Sequence, residues 1–198
     1  MMITSRRLAL CLLLTLGSVM SASAQANPQV KFVTTAGEFV VELYPDKTPN
    51  TVENFLSYVN EGHYNGTIFH RVINNFMIQG GGYDTKYNEK TTHAPIKHEG
   101  AEAAAKGGLH NTVGTLAMAR TNNPHSATAQ FFINVKDNDF LDHRAPSGQG
   151  WGYVAFGKVI SGMEVVTRIR QMPTGPGGPF PTDAPLNQVI IQSATLVK

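Results

Sequence analysis

Eight short β-rich runs and only two stretches of helical periodicity constrain this chain more than any other feature. Val30–Thr35 and Glu38–Leu43 flank Ala36-Gly37 and read as a hairpin. Thr67–Ile73, Phe76–Gln79, Thr112–Ala119, Gln130–Val135, Tyr153–Val159 and Gln188–Val197 complete the set. The first helix is predicted to open at Thr48, suited to the N-cap, and Pro49, suited to the first turn. Val52, Phe55, Leu56 and Val59 then recur at i, i+3, i+4 and i+7, and Gly62 can end the helix. Ser161-x-x-Glu164 forms a capping box ahead of Val165, Val166 and Ile169, which predicts the second. Tyr83–Leu109 is polar and poorly periodic, and Met172–Pro185 is rich in Pro and Gly, so both read as loop. Eight strands with two helices do not fit a wound parallel sheet. The expected fold is mainly β, a closed eight-stranded antiparallel β-barrel capped by two α-helices, which buries its strand edges best.

The first 26 residues stand apart. Arg6 and Arg7 precede a mostly apolar run, Leu8–Met20, and then the small neutral residues Ser21–Ala26. This is the layout of a cleaved secretory signal peptide, with cleavage expected after Ala26 and Ala24 as the next choice. The chain therefore divides into a signal, residues 1–26, and one domain, residues 27–198, with no repeat or linker to split it. Removal takes two of the 16 basic residues and none of the 14 acidic ones, so net charge falls from +2 to 0. No basic cluster remains, which argues against nucleic-acid binding. The only cysteine, Cys11, leaves with the signal, which excludes thiol catalysis, cysteine metal sites and disulfides in the mature chain. No membrane association is expected after removal, and one neutral domain favours a monomer.

Familiar catalytic motifs fail. Gly152–Lys158 resembles a phosphate loop until Val159, where a hydroxyl is needed for magnesium. Gly80-Gly81-Gly82 lacks the following helix that dinucleotide binding requires. The seven histidines form no His-Glu-x-x-His pattern, and His93 and His98, flanking a Pro-Ile loop, read as solvated. No metal or cofactor is expected. What stands out is Phe69-His70-Arg71-Val72-Ile73, with Phe76-Met77-Ile78-Gln79 just after. Strand alternation places Phe69, Arg71 and Ile73 on one side. An arginine there is costly to bury unpaired. It either reaches water from a strand edge, pairs with an acid, or serves a site. Phe76, Met77 and Gln130-Phe131-Phe132-Ile133 read, from pattern alone, as core.

Those two blocks, with Gly114-Thr115-Leu116-Ala117-Met118-Ala119, Gln130-Phe131-Phe132-Ile133 and Phe156-Gly157-Lys158-Val159 in the same order, resemble the cyclophilin family of peptidyl-prolyl isomerases, above all its bacterial periplasmic members. The resemblance runs from about Val30 to Lys198 and implies the same capped barrel. It places Arg71 on the family's catalytic arginine, beside His70. Phe76, Met77 and Phe132 fall on the walls of the proline pocket, with Leu141 beside them, and Gln79 and Gln130 on polar contacts to the peptide. Ala119 matches. Arg120 stands where many relatives carry Asn, a contact made largely by backbone, so the change should matter little. Phe140 takes the place of a tryptophan found in many eukaryotic members, and Tyr153 that of a histidine. Both departures leave turnover in place and argue against tight cyclosporin binding, since that tryptophan contacts the drug. Trp151 lies in what reads as an insertion, Arg144–Gly152, and does not substitute for it.

The resemblance implies prolyl isomerisation of proline-containing polypeptides, here exported ones in the periplasm. The alternatives are a barrel that holds proline peptides without turnover, and a hollow lipocalin-like barrel for a small ligand. Apolar residues on both faces of strands such as Thr67–Ile73 argue for a filled interior instead.

Overall fold

The computed structural model describes residues 26–197, so the expected signal lies, Ala26 excepted, outside them. Alternation sets the first strands: β1 (Gln29–Thr34) buries Val30, Phe32 and Thr34, and β2 (Gly37–Leu43) buries Phe39, Val41 and Leu43. They form the predicted hairpin, with Thr34 opposite Gly37. The remaining barrel strands are β3 (Thr67–Ile73), β4 (Met77–Asp84), β5 (Thr115–Met118), β6 (Phe131–Asn134), β7 (Ala155–Ser161) and β10 (Ile190–Leu196). They close in the order β1-β10-β3-β4-β6-β5-β7-β2, all antiparallel, so no edge is left unpaired.

Rings fill the interior. Phe32 stacks on Phe39 with centroids 4.9 Å apart. Phe55, on helix α1 (Pro49–Asn60), reaches in to lie 5.0 Å from Phe156 and 5.7 Å from Phe131. Helix α3 (Met163–Arg170) adds Val165, Val166 and Ile169 to the same core. A filled barrel leaves no room for a small ligand inside, which removes the lipocalin-like alternative.

Four sequence expectations change. A third helix, α2 (Gly100–Ala105), stands inside the stretch read as loop. Its alanines are strong helix formers, but so short a run carries no periodic signal. The Pro/Gly-rich segment forms a two-stranded hairpin, β8 (Thr174–Gly177) and β9 (Phe180–Pro185), outside the barrel order and beside β3. Proline is tolerated there because a two-stranded sheet needs donors on one edge only. The capping box does not form: Ser161 ends β7, and α3 starts after Gly162 at φ +81°. Thr48 does occupy the N-cap of α1, but its hydroxyl donates back to the Tyr44 carbonyl at 3.3 Å.

The free N–H groups of α1 are taken instead by Glu99, from the far side of the sequence. Its carboxylate accepts from the Asn50 and Thr51 N–H groups at 3.0 and 2.7 Å, and from the Asn50 amide and Thr51 hydroxyl at 2.8 and 2.6 Å. Glu99 is 4% exposed and Thr51 is buried, so the two bonds between them are shielded from water. Gly62 ends the helix as expected: its N–H bonds to Val59 and the next N–H, of His63, to Tyr58.

Glu99→Ala is expected to lower the unfolding free energy in urea by about 3 kcal/mol, because it strands buried donors. Glu99→Gln, which keeps one acceptor oxygen, should lose less. Equal stability of all three proteins would contradict this account of the cap.

Candidate active site

The register of β3 against β4 shifts twice, between Thr67 and Phe69 and again between Phe69 and Arg71, and the second shift places an extra residue in β3. Phe69 lies opposite Gly80 and Arg71 opposite Gln79, so His70 is a β-bulge. The bulge shifts the phase of the strand. Phe69 turns into the core, edge-on to Phe131 at 6.1 Å, while Arg71 and Ile73 face the outside of the barrel wall. This corrects the expectation that all three share a side.

The neighbouring strands make that outer wall apolar. Ile78, Phe131, Ile133, Leu116 and Met118 point inward, which leaves Met77, Phe132 and Ala117 on the other face. There they join Leu141 and Ala155 in a second buried cluster, edged by Ile73, Phe76, Ala119 and Tyr153. Met77 and Phe132 are thus buried without belonging to the main core. Above them runs a groove of about 520 Å³. Arg71, His70, Gln79, Gln130, Ala119 and Arg120 line it together with Phe76, Met77, Phe132, Leu141 and Tyr153. Of the expected residues only Phe140 lies outside: it is 63% exposed and stacks on Phe76 at 5.8 Å, facing a neighbouring depression.

Two lining residues escape sequence reasoning, Tyr83 and Phe180. They meet edge to face at 5.2 Å, and both pack on His70. Phe180 was a lone aromatic in the Pro/Gly-rich segment, and nothing local ties it to β3. Between them His70 is 2% exposed. Burial, aided by the charge of Arg71, lowers its pKa to about 4, so it is neutral near pH 7.

The polar lining is held in place. Gln79 Nε2 donates to Gln130 Oε1 at 3.0 Å. The glycine triplet makes room for this pair: a Cβ on Gly82 would lie 2.5 Å from Gln130 Cδ. Gly81, at φ +87°, passes so close to Tyr64 that a Cβ would lie 2.8 Å from its ring. The triplet therefore serves close backbone approach. Arg71 Nε lies 3.9 Å from Asp183 Oδ2 on β9, a long and partly exposed pair that contributes little stability. On the opposite side, Arg120 lies over the Tyr153 ring at 4.5 Å and donates through Nε to the Gly152 carbonyl at 2.9 Å.

Behind that wall sits His98, 7% exposed and not solvated as expected. The Gly100 N–H donates to its Nδ1 at 3.0 Å, which leaves the proton on Nε2, facing the Gly152 carbonyl at 3.3 Å. Burial is the chief cause that lowers its pKa to about 4. His93 does reach solvent, pairing with Glu61 at 2.9 Å. Trp151 packs edge-on to His98 at 5.4 Å and does not line the groove. Among the described residues no group of three or more His, Cys, Asp or Glu could hold a metal ion. No helix among them is long and apolar enough to cross a membrane.

The family described as cyclophilin type peptidyl-prolyl cis-trans isomerase/CLD matches residues 29–196. The chain is 55% identical over 167 residues to peptidyl-prolyl cis-trans isomerase B of Escherichia coli, covering 84% of this chain and 98% of the relative. It is 47% identical over 176 residues to peptidyl-prolyl cis-trans isomerase A of Dickeya dadantii, covering 89% and 88%. Among solved structures, a Cryptosporidium parvum cyclophilin type peptidyl-prolyl cis-trans isomerase, crystallised in the presence of the dipeptide Ala-Pro, superposes with a TM-score of 0.70 at 27% identity. The match covers 86% of this chain and 99% of that one.

The buried histidines set a pH dependence of stability. His70 titrates near 4 in the fold, against 6.5 for the ordinary group. Between those values the unfolded chain binds more protons, so stability is full above about pH 6.5 and falls as pH drops toward 4. The loss from His70 is expected to reach about 3 kcal/mol by pH 4, with a loss of the same order from His98. Urea unfolding of His70→Asn and His98→Asn should show shallower declines across this window than the parent protein. An unchanged slope in both would contradict neutral burial.

Proposed function

The chain belongs to the cyclophilin-type peptidyl-prolyl cis-trans isomerases, and from that premise we propose that Arg71 carries the catalysis in the groove on the outer barrel wall. The X–Pro amide resists rotation by about 18–20 kcal/mol, because resonance gives its C–N bond partial double-bond character. No covalent bond is made or broken, so the chemistry calls for no nucleophile, metal or cofactor. The protein must bind the twisted amide better than either planar isomer.

The observation that carries the assignment is a guanidinium beside an apolar floor. Phe76, Met77, Phe132 and Leu141 offer a surface for the pyrrolidine ring, and Arg71 lines the same groove. As the amide twists, its nitrogen pyramidalises and its lone pair, no longer delocalised into the carbonyl, localises on it. A hydrogen bond from Arg71 to that nitrogen is strongest in the twisted state and weakens the double-bond character. Gln79 and Gln130 hold the flanking peptide carbonyls. A rate gain of about 10⁵-fold needs roughly 7 kcal/mol of such selective stabilisation. Charge-assisted hydrogen bonding in a partly desolvated groove, with oriented packing, is of that order.

We further propose that the substrates are exported polypeptides in the periplasm and that the mature chain, Asn27–Lys198, acts on them as a monomer. The signal-like residues 1–26 support export, and the matched relatives from Escherichia coli and Dickeya dadantii support a bacterial setting. Intact mass of the protein from a periplasmic fraction is expected to show loss of 26 residues. Recovery of full-length protein from the cytosol would overturn this.

Cis-to-trans exchange of a short Xaa-Pro peptide tests the site. Arg71→Ala should slow catalysis by about a hundredfold while the peptide still titrates onto the groove by NMR. Full activity in a folded Arg71→Ala protein would remove Arg71 from the mechanism. Since a guanidinium stays protonated and His70 is already neutral, kcat/KM should be nearly flat from about pH 6 to 8.

A further inference from the structure

Arg120, expected to act largely through its backbone, places its side chain between two hollows. The proline groove and a neighbouring depression of about 560 Å³ share Arg120, Leu141 and Tyr153 in their walls. The guanidinium carbon lies over the Tyr153 ring, 4.5 Å from its centroid. Its Nε bonds to the Gly152 carbonyl and its Nη1 to the Thr121 carbonyl, both at 2.9 Å. Two of five N–H donors are thereby used and three remain.

Among the described residues the charge of Arg120 has no counter-ion. No carboxylate among the described residues forms an ion pair with it. No Asp or Glu lines either hollow. The second full charge there is Arg71, also cationic, and the one histidine, His70, is neutral. The depression adds the amide side chains of Asn122 and Gln149. A substrate chain advances about 3.3 Å per residue when extended, so residues next to a proline seated on Phe132 pass along this wall. A trough lined by two guanidiniums, of which Arg71 is loosely paired with Asp183 beside it and Arg120 is not paired, discriminates by charge.

We propose that Arg120 is a specificity-determining residue, which makes the groove favour an acidic side chain immediately before or after the proline and disfavour a basic one. The proposal rests on the groove being the proline site, as argued above.

Two peptide series test it with the full mature protein, one placing Glu, Ala or Lys immediately before the proline and one immediately after. At low ionic strength kcat/KM is expected to be about tenfold higher for Glu than for Lys on at least one side, with Ala between. The ratio should shrink severalfold at about 0.5 M salt, where the Debye length is only a few ångströms. Arg120→Asn should bring the ratio near one whatever its basal rate, Arg120→Glu should invert it, and Arg120→Lys should keep most of it. If Arg120 only braces Tyr153 and Gly152, its variants will change KM for all peptides alike and leave the ratio intact. That result, or a wild-type ratio near one on both sides, overturns the proposal. Failure of the wild type to turn over the Ala peptide would instead overturn the isomerase assignment of the groove. The charge preference is then still decided by the same peptides' dissociation constants, which must differ by the same factor.

Discussion

A strand in a closed barrel has one face that must be filled and one that is free to do work, and the period of two allows no compromise between them. Phe131 and Ile133 fill the interior, so Phe132 between them has to lie outside. The same holds for Met77 beside Ile78 and for Ala117 between Leu116 and Met118. The outer apolar wall is therefore a geometric consequence of packing the inner one. Arg71 joins it only because His70 is an extra residue in β3. Without that bulge, Phe69 and Arg71 would face the same way, and either the core would lose a ring or the groove its charge.

Stability and site are tied together through one pair of adjacent residues. Glu99 satisfies the N-terminus of α1, and α1 drives Phe55 into the barrel core. Its neighbour His98 faces the Gly152 carbonyl, the same oxygen that accepts from Arg120. The long polar segment read as loop thus links the helix that plugs the barrel to the wall of the groove. Its polarity reflects this: it supplies hydrogen bonds to other elements, where a packed helix or strand would supply apolar area.

The electrostatics of the groove are set by what it leaves out. Burial between Tyr83 and Phe180 keeps His70 uncharged near neutral pH. Arg71 meets its nearest carboxylate, Asp183, only at 3.9 Å. A loosely paired guanidinium retains donors for a substrate and cannot lose its proton. That suits a reaction whose transition state differs from its ground states in the shape and basicity of one nitrogen, without proton transfer.

Much of this was legible in the chain itself. Strand alternation, turn residues and the two periodic helices determined a filled, capped antiparallel barrel, because burial of apolar faces obeys fixed local periods. The motif blocks brought Arg71, Phe76, Met77, Gln79, Gln130 and Phe132 into one site by resemblance, and the groove contains them all. Other features were not legible, since each depends on residues far apart in sequence. Phe180 reaches His70 across 110 positions, and Glu99 reaches Thr51 across 48. The bulge at His70 exists only in the register against β4. Local pattern reports which face a residue prefers. Which residues meet there, how deeply a histidine is buried and where a cation goes unpaired are set by closure of the chain in three dimensions, and only the tertiary structure decides them.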